Sequence, residues 1–222
     1  MSEFLDCVEL ETGEQVDASI IWMHGLGADG HDFAPIVPEL RPAQKPGWRF
    51  VFPHAPVRPV TINNGMSMRA WFDILALDRH ARQDEAGIRE SAAHIEALVK
   101  RERQRGIASQ RIVLAGFSQG GAMALHTALR HAEPFAGIVG LSCYLPLQPQ
   151  FDAEAQTVNK DTPVFLAHGL LDPMLPAFLG EEARDFLLQR DYSVSWHGYP
   201  MMHAVCPEEI HDLSVWLAAR LA

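Results

Sequence analysis

Short, mostly apolar runs alternate along the chain with stretches whose apolar positions recur at helical spacing. The runs are Ser19-Ile-Ile-Trp-Met23, Trp48-Arg-Phe-Val-Phe52, Ile112-Val-Leu-Ala115, Phe135-Ala-Gly-Ile-Val-Gly-Leu141 and Pro163-Val-Phe-Leu-Ala-His168. Apolar runs of this length, bounded by turn residues, describe strands buried on both faces of a parallel sheet. Tyr192-Ser-Val-Ser-Trp-His-Gly198 alternates apolar and polar instead, as a half-exposed edge strand does.

Helical periodicity is clearest over 84–105, where Ile88, Ala92, Ile95, Leu98 and Val99 share a stripe. Acids open that stretch, basic residues close it in agreement with the helix dipole, and Gly106 ends it. Ala122, Leu125, Ala128 and Leu129 mark a second helix, 176–190 a third with Pro176 suitably first, and Ile210, Leu213, Leu217 and Leu221 a last one. A short helix is expected over 32–40, and 147–161 reads as loop. Strands alternating with helices predict an α/β fold with a mainly parallel central sheet, in one domain spanning 1–222.

Residues 53–83 break this rhythm. Loops beyond ~12–15 residues usually carry function or are disordered, and this one is too apolar for disorder. Val60 and Ile62, then Met66 and Met68, alternate about Asn64-Gly65, which predicts a small hairpin with a tight turn. With Trp71 following, the excursion can wall a site at the sheet edge or cover a satellite apolar cluster; the sequence allows both.

Composition narrows the partners. A net charge of −10 argues against nucleic-acid binding and against docking on anionic lipid by charge alone. No apolar run reaches the ~18 residues that span a bilayer. The Met-Ser-Glu-Phe-Leu-Asp start is acidic and lacks a signal-peptide pattern. Cys7, Cys143 and Cys206 have no CxxC spacing and suit free thiols in a reducing cytoplasm.

The chemistry collects where strands end. Gly116-Phe-Ser118-Gln-Gly120 lies between a buried strand and a helix, so the chain turns sharply at Ser118 and presents its hydroxyl at the positive end of the helix. A serine hydroxyl needs a base within ~3 Å, and a histidine needs a carboxylate on its other nitrogen to fix its tautomer. His203 follows the last strand in a loop, whereas His24 and His168 precede glycines as turn braces and His126, His131 and His211 lie in helices. Asp172 directly follows a central strand and leads its rivals Asp73, Asp161 and Asp191. The order Ser118, Asp172, His203 is that of the α/β-hydrolases.

Gly25, Gly27 and Gly30 also satisfy G-x-G-x-x-G after a strand. A dinucleotide site needs an acid at the end of the next strand, and Phe52 is followed by Pro53-His-Ala-Pro56 instead. An oxidoreductase is therefore the weaker reading, as is a non-catalytic binder on a hydrolase scaffold. The glycine turn better suits an anion pocket built from main-chain N–H groups. There is no HExxH, paired CxxC, EF-hand or P-loop, so neither metal nor cofactor is expected.

Taken together, His24-Gly-Leu-Gly-Ala-Asp-Gly30, Phe52-Pro-His-Ala-Pro56, Trp71-Phe-Asp73, Asp84-Glu-Ala-Gly-Ile88, Gly116-Phe-Ser-Gln-Gly-Gly121, Leu141-Ser-Cys-Tyr-Leu-Pro146, His168-Gly-Leu-Leu-Asp172 and Met202-His203 resemble the small carboxylesterases and acyl-protein thioesterases of the α/β-hydrolase superfamily. The resemblance covers roughly 18–220. It implies Ser118 as nucleophile, His203 as base, Asp172 as orienting acid, and an oxyanion hole from the N–H groups of Leu26 and Gln119. It further implies a fold without a large lid domain, a cytoplasmic setting, and esters, lysophospholipids or acylated proteins as substrates; some members pair as homodimers. Tyr144 stands where the family often has Trp, which reshapes the acyl groove. Met66, Met68, Trp71, Leu171 and Met174 are the other apolar residues expected to line that groove.

Overall fold

A seven-stranded sheet is the frame of the computed structural model, which describes residues 4–40, 47–76 and 82–222. Its strands are β1 (Cys7–Glu11), β2 (Val16–Met23), β3 (Gly47–Pro53), β6 (Ile112–Phe117), β7 (Gly137–Leu141), β8 (Val164–Gly169) and β9 (Val194–Tyr199). β4 (Val57–Val60) and β5 (Met66–Arg69) form a separate hairpin. The helices are α1 (Glu85–Gln104), α2 (Gln119–Arg130), the single turn α3 (Phe151–Glu154), α4 (Phe178–Leu188) and α5 (Pro207–Arg220).

The strand order is β1-β3-β2-β6-β7-β8-β9, parallel throughout except for β1, which runs antiparallel to β3. Burial on two faces explains the unbroken apolar run of β6. Ile112 and Leu114 enter one core layer with Ile95 and Leu98 of α1 and Leu125 of α2, while Val113 and Ala115 enter the other with Leu213 and Leu217 of α5. From β2 the chain goes first to β3 on one side and later to β6 on the other. The crevice beyond the carboxyl ends of β2 and β6 is thus a topological switch point, where such sheets bind ligands.

Residues 147–161, expected as loop, hold 3-10 turns at Gln148–Gln150 and Thr157–Asn159 around the single turn α3, whose Phe151 is buried in the core. Three further segments differ from the expectation. Residues 32–40 form only a single 3-10 turn, Ala34–Ile36, followed by turns, because Pro35 and Pro38 have no N–H to give a continuing helix. The hairpin is present, but Val60 pairs with Met66 and the connection runs through a 3-10 turn, Thr61–Asn63, before Asn64 (φ 56°) and Gly65 (φ 73°). Residues 77–81 of the 53–83 excursion lie outside the described residues. The third is β1, which the apolar pattern did not announce. Its glutamates are held by ion pairs, Glu9 with Arg101 (2.6 Å) and Arg105 (2.7 Å), and Glu11 with Arg49 (2.8 Å). Glu102 of α1, with its side chain fully buried, pairs with Arg49 at 2.8 Å and ties this edge to the helix layer.

Candidate active site

Ser118 stands between β6 and α2 with φ 54° and ψ −120°, a conformation that costs a non-glycine residue on the order of 1–3 kcal/mol. The sharp turn requires close backbone approaches on both sides. A β-carbon on Gly120 would overlap the carbonyl oxygen of Met23, and one on Gly116 would overlap the backbone of Gly120. Only glycine at both positions lets α2 start against β2 and β6. The Ser118 N–H is held by Leu141 O at 2.8 Å, which fixes the turn to β7.

His203 lies in the loop after β9, and its Nε2 is 2.9 Å from Ser118 Oγ. Its Nδ1 is 2.5 Å from Asp172 Oδ2. Phe117 packs against the imidazole with ring centroids 4.8 Å apart, which limits its rotation. Asp172 follows β8 with its side chain fully buried. Its Oδ1 accepts the N–H groups of Met174 (2.9 Å) and Leu175 (2.8 Å), so Oδ2 is left to the imidazole. His168, also buried, donates from Nε2 to Leu175 O at 2.8 Å and steadies that cradle; burial holds its ring below the ordinary histidine range, hence neutral. The three side chains singled out in the sequence, 118, 172 and 203, therefore meet in one hydrogen-bonded line.

The loop 24–30 closes the other side of the hydroxyl. A β-carbon on Gly25 would sit 3.6 Å from Ser118 Cβ, so this loop runs directly beside the serine. Among the described residues neither the Leu26 nor the Gln119 amide has a protein acceptor, and both residues line the cleft in which Ser118 and His203 lie. The Gln119 amide opens α2, where the first N–H groups have no intrahelical partner. Such amides can receive a negative oxygen.

Of the six apolar positions expected in the groove, Tyr144 and Met174 line the cleft, whereas Met66, Met68, Trp71 and Leu171 do not. Leu171 and Met66 are 65% exposed elsewhere on the surface. Met68 packs at the hairpin, where Asn63 Nδ2 donates to its sulfur at 3.3 Å. Trp71 is fully buried in the core, with its indole N–H satisfied by His24 O at 2.9 Å. The groove walls come instead from Ile74 and Leu75 after the hairpin, Leu145 and Leu147 after β7, and Leu179 and Phe186 on α4. Ile74 and Leu75 belong to the 53–83 excursion expected as a wall, whereas Leu145, Leu147, Leu179 and Phe186 were missed, because the face they share is made by loops and helices from separate parts of the chain. Sequence reading also missed the Gln119 side chain, which binds Trp71 N and Phe72 O at 2.8 and 2.7 Å. No local signal marks a contact between residues so far apart.

Comparison with known proteins agrees with this architecture. The phospholipase/carboxylesterase family profile matches residues 6–221. An acyl-protein thioesterase 1 from Neurospora crassa is 42% identical over 213 residues, covering 92% of this chain and 87% of that protein. The acyl-protein thioesterase 1 of Yarrowia lipolytica is 40% identical, covering 90% of each chain. Among solved structures, Arabidopsis thaliana SOBER1 superposes with a TM-score of 0.87 at 28% identity, over 92% of this chain and 99% of that one. Zea mays acyl-protein thioesterase 2 gives 0.85 at 26% identity, over 99% and 100%. With a serine on a strand-to-helix turn, a histidine and a buried aspartate already in line, the chain belongs to the phospholipase/carboxylesterase family of α/β-hydrolases and is a serine hydrolase of carboxylic esters.

Proposed function

We propose that Ser118 is the acyl-accepting nucleophile, His203 its general base and Asp172 the group that orients the base. The observation that carries this reading is the pair of contacts, 2.9 Å from Ser118 Oγ to Nε2 and 2.5 Å from Nδ1 to Asp172. With the proton on Nδ1 facing a buried carboxylate, Nε2 keeps a lone pair for the hydroxyl proton. As Oγ bonds to the acyl carbon, its proton passes to Nε2 and the carbonyl oxygen becomes an oxyanion facing the amides of Leu26 and Gln119. A well-placed donor of this kind lowers the barrier by about 2.7–4 kcal/mol. Collapse of the intermediate breaks the bond to the leaving alcohol or thiol, which takes the proton from His203. Water, deprotonated by the same imidazole, then releases the acid from Ser118.

The substrate is an acyl chain joined by a thioester or ester to a bulky carrier, S-acylated protein being the favoured case. An open cleft of about 1670 Å³, lined by apolar residues such as Leu145, Leu147 and Leu179 together with charged ones such as Asp84, Asp185 and Arg190, supports this, since it has room for a chain whose carrier stays outside. The names of the relatives support the thioester. No described helix is long and apolar enough to cross a membrane. The cytoplasm is the setting we infer, supported by free thiols at Cys7, Cys143 and Cys206.

The test is a series of thioesters and oxygen esters matched in acyl chain. Each buried methylene contributes ~0.8 kcal/mol, so kcat/KM is expected to climb with chain length by up to about fourfold per methylene until the groove is full. An S-acylated peptide is expected to be cleaved at least as fast as its oxygen-ester twin. A flat length profile, or cleavage of oxygen esters alone, would overturn the substrate reading.

A further inference from the structure

Trp71 takes no part in the proton relay, yet each of its polar groups is engaged. Its main-chain N–H donates to Gln119 Oε1 at 2.8 Å, its indole N–H donates to His24 O at 2.9 Å, and its carbonyl accepts the Ser91 hydroxyl. Gln119 completes the join by donating from Nε2 to Phe72 O at 2.7 Å. Beyond the indole, the loop that carries Leu26 is clamped at three more points. His24 donates from Nδ1 to Gly25 O at 2.7 Å and accepts the Ala55 N–H on Nε2 at 3.0 Å. Gly27 N–H reaches Arg69 O at 2.9 Å. A continuous hydrogen-bonded path therefore runs from the Gln119 side chain, through Trp71, to the residue two before Leu26.

The geometry points to Trp71 and the side chain of Gln119 as positioning residues that set the separation of the two oxyanion amides. This rests on the reading of the Leu26 and Gln119 N–H groups given above. Those amides sit on different segments, one in the loop after β2 and one at the start of α2. An oxyanion hole works only when both donors lie about 2.7–3.1 Å from where the charged oxygen forms, and a 1 Å error costs about a hundredfold in rate. The bracket removes the freedom of one segment to drift against the other. His24 keeps its part because burial holds its ring down to about 4, so Nε2 stays an acceptor for Ala55 at neutral pH.

A residue that merely filled the core would be replaceable by another ring. Trp71→Phe keeps an aromatic ring and deletes the indole N–H; Gln119→Met keeps the length, removes both polar ends and leaves the main-chain amide in place. Each purified variant is compared with wild type for melting, kcat, KM, the pH profile of kcat/KM, and inhibition by an alkylboronic acid, which forms a tetrahedral serine adduct. The bracket predicts a fall in kcat of about ten- to a hundredfold, with KM within about threefold and the pH midpoint unmoved. Boronic acid affinity should weaken in proportion to kcat, and the double variant should be scarcely worse than the weaker single one. Folded variants with wild-type kcat and boronate affinity, or losses of kcat that boronate affinity does not follow, would overturn it. Either variant decides the matter if the other does not fold. A wild-type protein that hydrolyses no acyl ester would sink the reading of the site itself, and the bracket with it.

Discussion

Asp172 gives its two oxygens separate tasks, and that division sets what a single atom can do. Oδ1 holds two main-chain N–H groups while Oδ2 faces His203 Nδ1. In Asp172→Asn the amide oxygen keeps the main-chain pair and the NH₂ turns to the imidazole, so the ring must carry its proton on Nε2, facing Ser118. We expect kcat to fall by about 10⁴ with little change in melting temperature. Steady-state kinetics beside a thermal melt checks this; a loss below about tenfold contradicts the role. The three residues proposed for the relay, whose side chains meet in the structure, could be picked out because each follows a strand and their order along the chain is informative. Trp71 was legible only as an apolar residue near the edge. That its indole N–H is taken by His24 depends on a contact across 47 positions, which no periodicity records.

Helices, central strands and the alternating edge strand β9 announced themselves, since burial imposes their periods; β1 at the other edge did not. The helix expected over 32–40 reduces to one 3-10 turn at Ala34–Ile36, and β1 carries no apolar pattern because charged pairs help to hold it. Inside α5 lies a consequence for stability. Glu209, fully buried in the first turn, is pushed up from the ordinary 4.5 to about 8 by burial. Between those values the unfolded chain releases a proton that the folded chain keeps, so stability falls as pH rises and the contribution is gone above about 8. Glu209→Gln removes this dependence. Urea unfolding at pH values of about 5 and about 8 should show the variant gaining on wild type as pH rises, by at most ~1.4 kcal/mol per pH unit. An equal difference at both values would contradict the assignment.

For the molecule as a whole, the α/β class and the mainly parallel sheet followed from the alternation of patterns, and the strand order did not. Order is decided by which strands pair across long separations, as β2 pairs with both β3 and β6, and a list of strands carries no such information. That pairing matters for function, because it opens the crevice in which residues from β2, β6, β8 and β9 converge. The groove shows the same division. The residues proposed for its chemistry could be picked out at the strand ends, while most of its apolar walls could not, since Leu147, Leu179 and Phe186 become neighbours only after the layers pack. Everything proposed here comes down to one hydroxyl made nucleophilic by its neighbours. The most direct measurement is incubation of the purified protein with a fluorophosphonate, followed by peptide mass spectrometry. The account predicts one adduct, on the peptide holding Ser118, and none in Ser118→Ala; an unmodified Ser118, or an adduct on another residue, would contradict it.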